Sequence, residues 1–226
     1  MISIIDAAGV TYKFPTGEFK SAKDGSADPA GRPLLHNIHF TLNSGEIIFI
    51  KGESGCGKST FLKLLNRLID PDTGRMEFNG KEYHSIDVME LRRKIQLVPQ
   101  TTFLMPEMTV RENLLFAAPD AGEEKIVHLM DAFNLPHNLL ENSGSRISVG
   151  QSQRFSVIRA LLMKPDVILL DEPTAALDPD NRERFQESFL RLHGEGGLSA
   201  VWVTHDELKI ANGKGRQMRL DKGGFI

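Results

Sequence analysis

Cysteine is nearly absent from this 226-residue chain: Cys56 is the only one. A single thiol closes no intrachain disulfide, which argues against the disulfide-stapled class of secreted domains. Long apolar runs are missing as well. The longest, such as Ile47–Ile50 and Val167–Leu170, are strand-length and far short of the roughly 20 residues a membrane-spanning helix needs. Charge of one sign is not in excess: 27 Lys and Arg stand against 30 Asp and Glu, a net charge of −3. Bulk electrostatics therefore give no sign of a nucleic-acid partner. Met1–Ile5 runs directly into Asp6, without the basic stretch and apolar core of a secretory signal. Internal repeats and low-complexity tracts are also lacking. Together these absences predict a cytoplasmic chain with no direct membrane insertion, whose association with a membrane runs through a partner. The length suits one sizeable α/β domain with a subsidiary lobe.

Strands are predicted at Ile2–Ile5, Val10–Phe14 and Ile38–Leu42, where β-branched and aromatic residues cluster. The polar stretch Thr16–Arg32 between them reads as a surface loop. Gly45–Lys51 is a short apolar strand. Lys58–Ile69 follows with apolar residues at i, i+3, i+4 and i+7, the pattern of one buried helix face, and Pro71 stops it. Further strands are predicted at Arg75–Phe78 and Ile95–Val98. From Thr101 to Arg146 the texture changes to helical pieces, Val110–Phe116 and Glu123–Phe133, broken by Pro106, Pro119 and Pro136. Helix Ser152–Met163, strand Val167–Leu170, helix Arg182–His193 and strand Ala200–Val203 complete the alternation. Strands alternating with helices predict a mostly parallel sheet, with residues 1–100 and 164–226 as core and 101–163 as an inserted helical lobe.

Two motifs carry the chemistry. Gly52-x4-Gly57-Lys58-Ser59 fits the P-loop pattern and lies between a predicted strand and a predicted helix, the context this motif requires. Its glycines let backbone N–H groups turn inward around a phosphate chain, and the helix N-terminus adds the positive end of its dipole. Lys58 should reach the terminal phosphates and Ser59 a Mg²⁺ ion. The second motif, Val167–Leu170 followed by Asp171 and Glu172, is an apolar strand that delivers two acids to the carboxyl edge of the sheet. Asp171 is the expected Mg²⁺ ligand, directly or through water. Glu172 is placed to polarise an attacking water. Cys56 reads as filler of a variable position in the P-loop rather than as a redox thiol. His36, His39, His84, His128, His137 and His193 show no metal-ligand spacing.

With these motifs on the page, the chain resembles the ATP-binding subunit of an ABC transporter over nearly its whole length. That resemblance implies a P-loop NTPase (RecA-like) α/β core, an N-terminal antiparallel β-subdomain and an inserted helical subdomain, with ATP and Mg²⁺ as cofactors. Gly52, Glu53, Ser54, Gly55, Cys56, Gly57, Lys58, Ser59 and Thr60 match the Walker A loop, and Val167–Glu172 matches Walker B. Gln100 resembles the Q-loop glutamine that contacts Mg²⁺ and the attacking water. Ser148, Gly150 and Gln151 resemble the signature turn, Asp178 the end of the D-loop, and His205 the switch histidine. Phe14 resembles the aromatic residue that stacks on adenine, with Tyr12 as the alternative. Ser59, Gln100 and Asp171 are the implied metal contacts, and Lys58, Gln100, Glu172 and His205 the implied catalytic set. The family's signature is usually Leu-Ser-Gly-Gly-Gln. Here Ile147 replaces Leu, a volume-conserving swap, and Val149 puts a branched Cβ where Gly is common.

The family mechanism implies a homodimer, or a pairing with an equivalent second ATPase subunit, closed around two ATP molecules. Each ATP lies between one subunit's P-loop and the other's signature turn, and closure drives a separate integral membrane permease. A soluble ABC ATPase of the iron–sulfur assembly type is the alternative. Only 21 residues follow His205, which leaves no room there for a regulatory domain. That compact form is similar to a small bacterial group linked to iron export.

Overall fold

The computed structural model describes residues 2–14, 33–205 and 215–226. The predicted loop Thr16–Arg32 and the residues just after His205 lie outside them. Two sheets organise the described residues. The first is antiparallel, in the order β2-β1-β4-β5, built from β1 (Ser3–Tyr12), β2 (Leu35–Asn43), β4 (Thr73–Phe78) and β5 (Lys81–Glu82). The second runs β10-β9-β3-β8-β7-β6. It comprises β3 (Ile47–Lys51), β6 (Ile95–Val98), β7 (Val167–Asp171), β8 (Ser199–Val203), β9 (Arg216–Asp221) and β10 (Gly224–Phe225). All its pairings are parallel except β9 with β10.

The central strands β3, β7 and β8 are buried on both faces, as their unbroken apolar runs require. Alternation sorts their side chains into two cores. Phe49, Leu170 and Trp202 face one way, joining Phe155, Phe185 and Phe189 from the helices. Trp202 takes Phe185 and Phe189 edge-on, at centroid distances of 5.7 and 5.2 Å. Ile48, Ile50, Leu169 and Val201 face the other way, onto Phe61 of helix α1 (Lys58–Leu65) and Phe40 of the antiparallel sheet.

Several boundaries differ from expectation. The two N-terminal strands are one strand: the β1–β2 register shifts between Ala7 and Val10, and Gly9, at φ +65°, absorbs the irregularity. Helix α1 ends at Leu65, four residues short of the apolar pattern. Arg67 adopts φ 54° there, with Leu68 N–H bonded to Lys63 O and Arg67 N–H to Leu64 O, a Schellman termination. The Arg67 side chain repays that conformation by donating to the Tyr83 and Ile86 carbonyls and pairing with Asp70. Helix α2 (Val88–Lys94), β5, β9 and β10 are unforeseen. Helices α3 (Val110–Ala117), α4 (Glu123–Ala132), α5 (Val149–Leu162) and α6 (Pro179–Gly196) occupy the predicted regions. The last two begin three residues earlier than expected, because Ser148 and Asp178 cap them. The α/β core, the antiparallel β-sheet and the helical insertion all match the fold class read from the sequence.

Candidate functional site

Topology brings the motifs together. Strands β3, β8 and β7 are parallel neighbours, with Ile50 beside Val203 and Val203 beside Asp171. Their carboxyl ends therefore release the P-loop, His205 and the Asp171–Glu172 pair at one edge of the sheet. Strand β6 lies beside β7, with Val98 opposite Leu170, and delivers Gln100 to the same edge. The resulting cavity, of about 320 Å³, is lined by Ser54, Gly55, Gly57, Lys58, Ser59 and Thr60 of the loop. Gln100, Glu172, His205, Phe14 and Leu34 complete its wall.

The P-loop is shaped by close approach. A Cβ on Gly52 would lie 2.3 Å from the Leu220 carbonyl oxygen, and one on Gly57 would lie 2.8 Å from Leu35 Cδ2. Gly57 also takes φ 106°, a conformation that side chains resist, and as the N-cap of α1 it offers no side-chain acceptor to the first helical amides. Those amides and the helix dipole suit an anion. Lys58 is only 6% exposed, and its ammonium donates to the Gly52 and Glu53 carbonyls, 2.8 Å each. Gly52, Glu53 and Cys56 belong to the loop without lining the cavity. Cys56 instead packs against the core between the sheets.

Two oxygen donors stand together behind the lysine. Ser59 stands beside Asp171, which is 8% exposed. Burial pushes the Asp171 carboxyl up from its usual value, and the Ser59 hydroxyl pulls it part of the way back. Among the described residues no group of three His, Cys, Asp or Glu could hold a metal. A Mg²⁺ ion at Ser59 and Asp171 would therefore complete its shell with phosphate and water oxygens, as this ion commonly does.

Glu172 has the most constrained geometry in the site. Its backbone sits at φ 48°, rare for a non-glycine residue, and its N–H bonds to the Val203 carbonyl at 3.0 Å. One carboxylate oxygen meets His205 Nε2 at 2.9 Å and the other accepts from Gln100 Nε2 at 3.1 Å. Three residues from three strand ends thus converge at the cavity mouth. Phe14 lines the cavity while Tyr12 stands edge-on behind it, at a centroid distance of 5.7 Å. Leu34 was missed in the sequence, where nothing distinguishes it from a core leucine.

Ser148, Gly150, Gln151 and Asp178 do not line this cavity. Ser148 Oγ accepts from Gln151 N–H, and Gln151 Oε1 accepts from Ser148 N–H, a reciprocal capping box. Gly150 lies so close to Leu177 that a Cβ would come within 2.8 Å of it. The exposed N-terminus of α5 carries Val149, 67% accessible. Asp178 caps α6 through Asn181, whose side-chain and backbone N–H groups hold the Asp178 carboxyl below its usual value.

The family model for ABC transporters matches residues 35–175. The chain is 37% identical over 182 residues to the carnitine transport ATP-binding protein OpuCA of Listeria monocytogenes, covering 78% of this chain and 46% of that protein. It thus spans about half the length of such relatives. It is also 37% identical over 183 residues to the probable iron export ATP-binding protein FetA of Escherichia coli, covering 78% of this chain and 80% of that one. Among solved structures, a dimeric bacterial ABC transporter cassette superposes with a TM-score of 0.82 at 29% identity, covering 97% of this chain and 95% of the other. A dimeric ATP-binding cassette in a post-hydrolysis state, bound to ADP and Pi, gives 0.80 at 28% identity, with the same coverage.

Proposed function

The chain belongs to the ABC transporter family, and from that premise we propose that it is the ATP-hydrolysing subunit of a membrane transporter. The observation that carries the proposal is the convergence of Gln100 and His205 on Glu172 at the mouth of the P-loop cavity. ATP would bind here with Mg²⁺, and water would attack its γ-phosphate as the bond to the β-phosphate breaks and ADP leaves. Lys58 and the amides at the start of α1 hold the phosphates. Ser59, Asp171 and Gln100 would hold a Mg²⁺ ion, which would offset the charge of the phosphates. Glu172 polarises the attacking water, oriented by Gln100, and His205 contacts the γ-phosphate. Phe14 stacks on adenine.

Ser148, Gly150, Gln151 and Asp178 serve the nucleotide of a second subunit. Ser148 and Asp178 are exposed at the α5 and α6 N-termini, and none of the four lines the cavity of its own chain, which supports that assignment. We take residues 101–163 as the helical lobe that transmits closure to a permease, placing the chain on the inner face of the membrane through that partner. No described helix is long and apolar enough to cross a membrane. The substrate is set by the permease. Relatives named for carnitine transport and for iron export make osmoprotectants and iron the two classes to try first.

Phosphate release from ATP and Mg²⁺ tests the reading. Wild-type chain is expected to turn over and Lys58→Ala to fall by at least about 100-fold. Equal rates would overturn it.

A further inference from the structure

A second cavity, of about 490 Å³, adjoins the P-loop and shares His205 with the nucleotide cavity. Gly52 and Glu53, whose carbonyls accept from Lys58, form part of its wall, and Lys51, Gln217 and Arg219 line it as well. Half-buried Lys51 ends β3 and exposed Arg219 lies in β9, and the two are register partners in a parallel pairing. Such partners project from the same face of the sheet, on strands about 4.8 Å apart, and like charges so placed repel each other. Arg216, earlier on β9, is neutralised by Glu46 at 2.9 Å. Lys51 and Arg219 have no such relief: among the described residues neither side chain forms an ion pair or a hydrogen bond. Glu53 is exposed and pairs with neither.

Two unpaired cations side by side at a cavity suit an anion, and an arginine fork beside a lysine ammonium suits a phosphate oxyanion in particular. Hydrolysis makes one next door. In the proposed dimer the second chain's signature turn covers the mouth of the nucleotide cavity, so product phosphate needs another way out. We propose that this second cavity receives the inorganic phosphate released from ATP. The ion passes His205, which borders both cavities, and is held by the Lys51 ammonium and the Arg219 guanidinium, with the Gln217 amide as a further donor. The inference rests on the hydrolase reading and adds the route by which its product leaves. It also gives the like-charged pair a role: the repulsion between Lys51 and Arg219 is relieved when the phosphate sits between them.

Equilibrium dialysis of radiolabelled inorganic phosphate against the full chain, with ADP and Mg²⁺ present and ionic strength matched with chloride, tests the site without turnover. The double variant Lys51→Gln with Arg219→Gln should bind phosphate about tenfold or more weakly than wild type. Exchanging the two cations, Lys51→Arg with Arg219→Lys, should keep binding within about threefold. ADP affinity should be the same in all three, because neither residue lines the nucleotide cavity. Equal phosphate binding in wild type and the Gln pair overturns the site. In a single turnover, rapid quench reads cleavage and a phosphate-sensing fluorophore reads release. Release by the Gln pair should lag cleavage about tenfold further than in wild type. Weakened binding with an unchanged lag overturns the exit route and makes bulk phosphate the source of the ion. A wild-type chain that binds phosphate through Lys51 and Arg219 yet cleaves no ATP overturns the hydrolase reading and leaves the site standing. The Gln pair removes a repulsion, so its Tm should not fall; a drop of several degrees overturns the claim that the two charges are unpaired.

Discussion

Replacing Glu172 by Gln should separate chemistry from structure almost completely. Both carboxylate oxygens are engaged, one by His205 at 2.9 Å and one by Gln100 at 3.1 Å. A Gln side chain has the same reach but offers one oxygen and one NH₂. The NH₂ then faces either His205 or Gln100, and each can present an acceptor, by tautomer or by amide flip. The rare φ of 48° is unchanged between the two residues. The cost to the fold should stay within about 1 kcal/mol, a shift of roughly 2–4 °C in Tm at this chain length. The rate is another matter. A positioned general base contributes about 10²–10⁴-fold, so phosphate release should fall to about 1% of wild type or less. ATP binding should persist, and size-exclusion chromatography with ATP and Mg²⁺ should show a dimer accumulating as turnover stops. A variant hydrolysing within tenfold of wild type would refute the role given to Glu172.

Other consequences are more local. Asp171 is a buried acid whose folded value is raised, so its charged form costs stability at neutral pH, and that cost is relieved as pH falls through the raised value. Asp171→Asn should therefore hold or raise the unfolding midpoint at pH 7, flatten its acid dependence and abolish Mg²⁺-dependent hydrolysis; a lower midpoint contradicts the sign. Asn113, fully buried, bonds Met105 N–H at 2.7 Å, Met105 O at 3.1 Å and Thr109 O at 2.9 Å. Asn113→Ala strands those groups and should cost about 3 kcal/mol in urea denaturation. Cys56 packs against the core without lining the cavity, so Cys56→Ala should hydrolyse ATP within about threefold of wild type, and a collapse would restore a chemical role for the thiol.

The parts legible in the sequence were those where local pattern and global fold agree. Strands such as Val167–Leu170 are apolar on both faces because the parallel sheet is covered on both, and the P-loop announces itself because few residue types tolerate its close approaches. What escaped depends on distant partners. Arg67 ends α1 through bonds to Tyr83 and Ile86, which no local periodicity reveals. Strand β9 reads Arg216-Gln217-Met218-Arg219-Leu220-Asp221 and is mostly polar, because it lies near the sheet edge and is specified by pairing with β3. Leu34 enters the cavity wall because the chain returns past Phe14. The family resemblance supplied Gln100 and His205. Their meeting on Glu172 is a property of strand order.

The central claim is that each nucleotide is served by two chains. Mixing Lys58→Ala with Ser148→Arg tests it directly. Each variant alone should be nearly inactive. A mixed dimer pairs the intact P-loop of one chain with the intact signature turn of the other, so hydrolysis should return on mixing, approaching half the wild-type rate per mixed dimer. If Lys58 and Ser148 served the same nucleotide from the same chain, mixing would restore nothing, and that result would contradict the account.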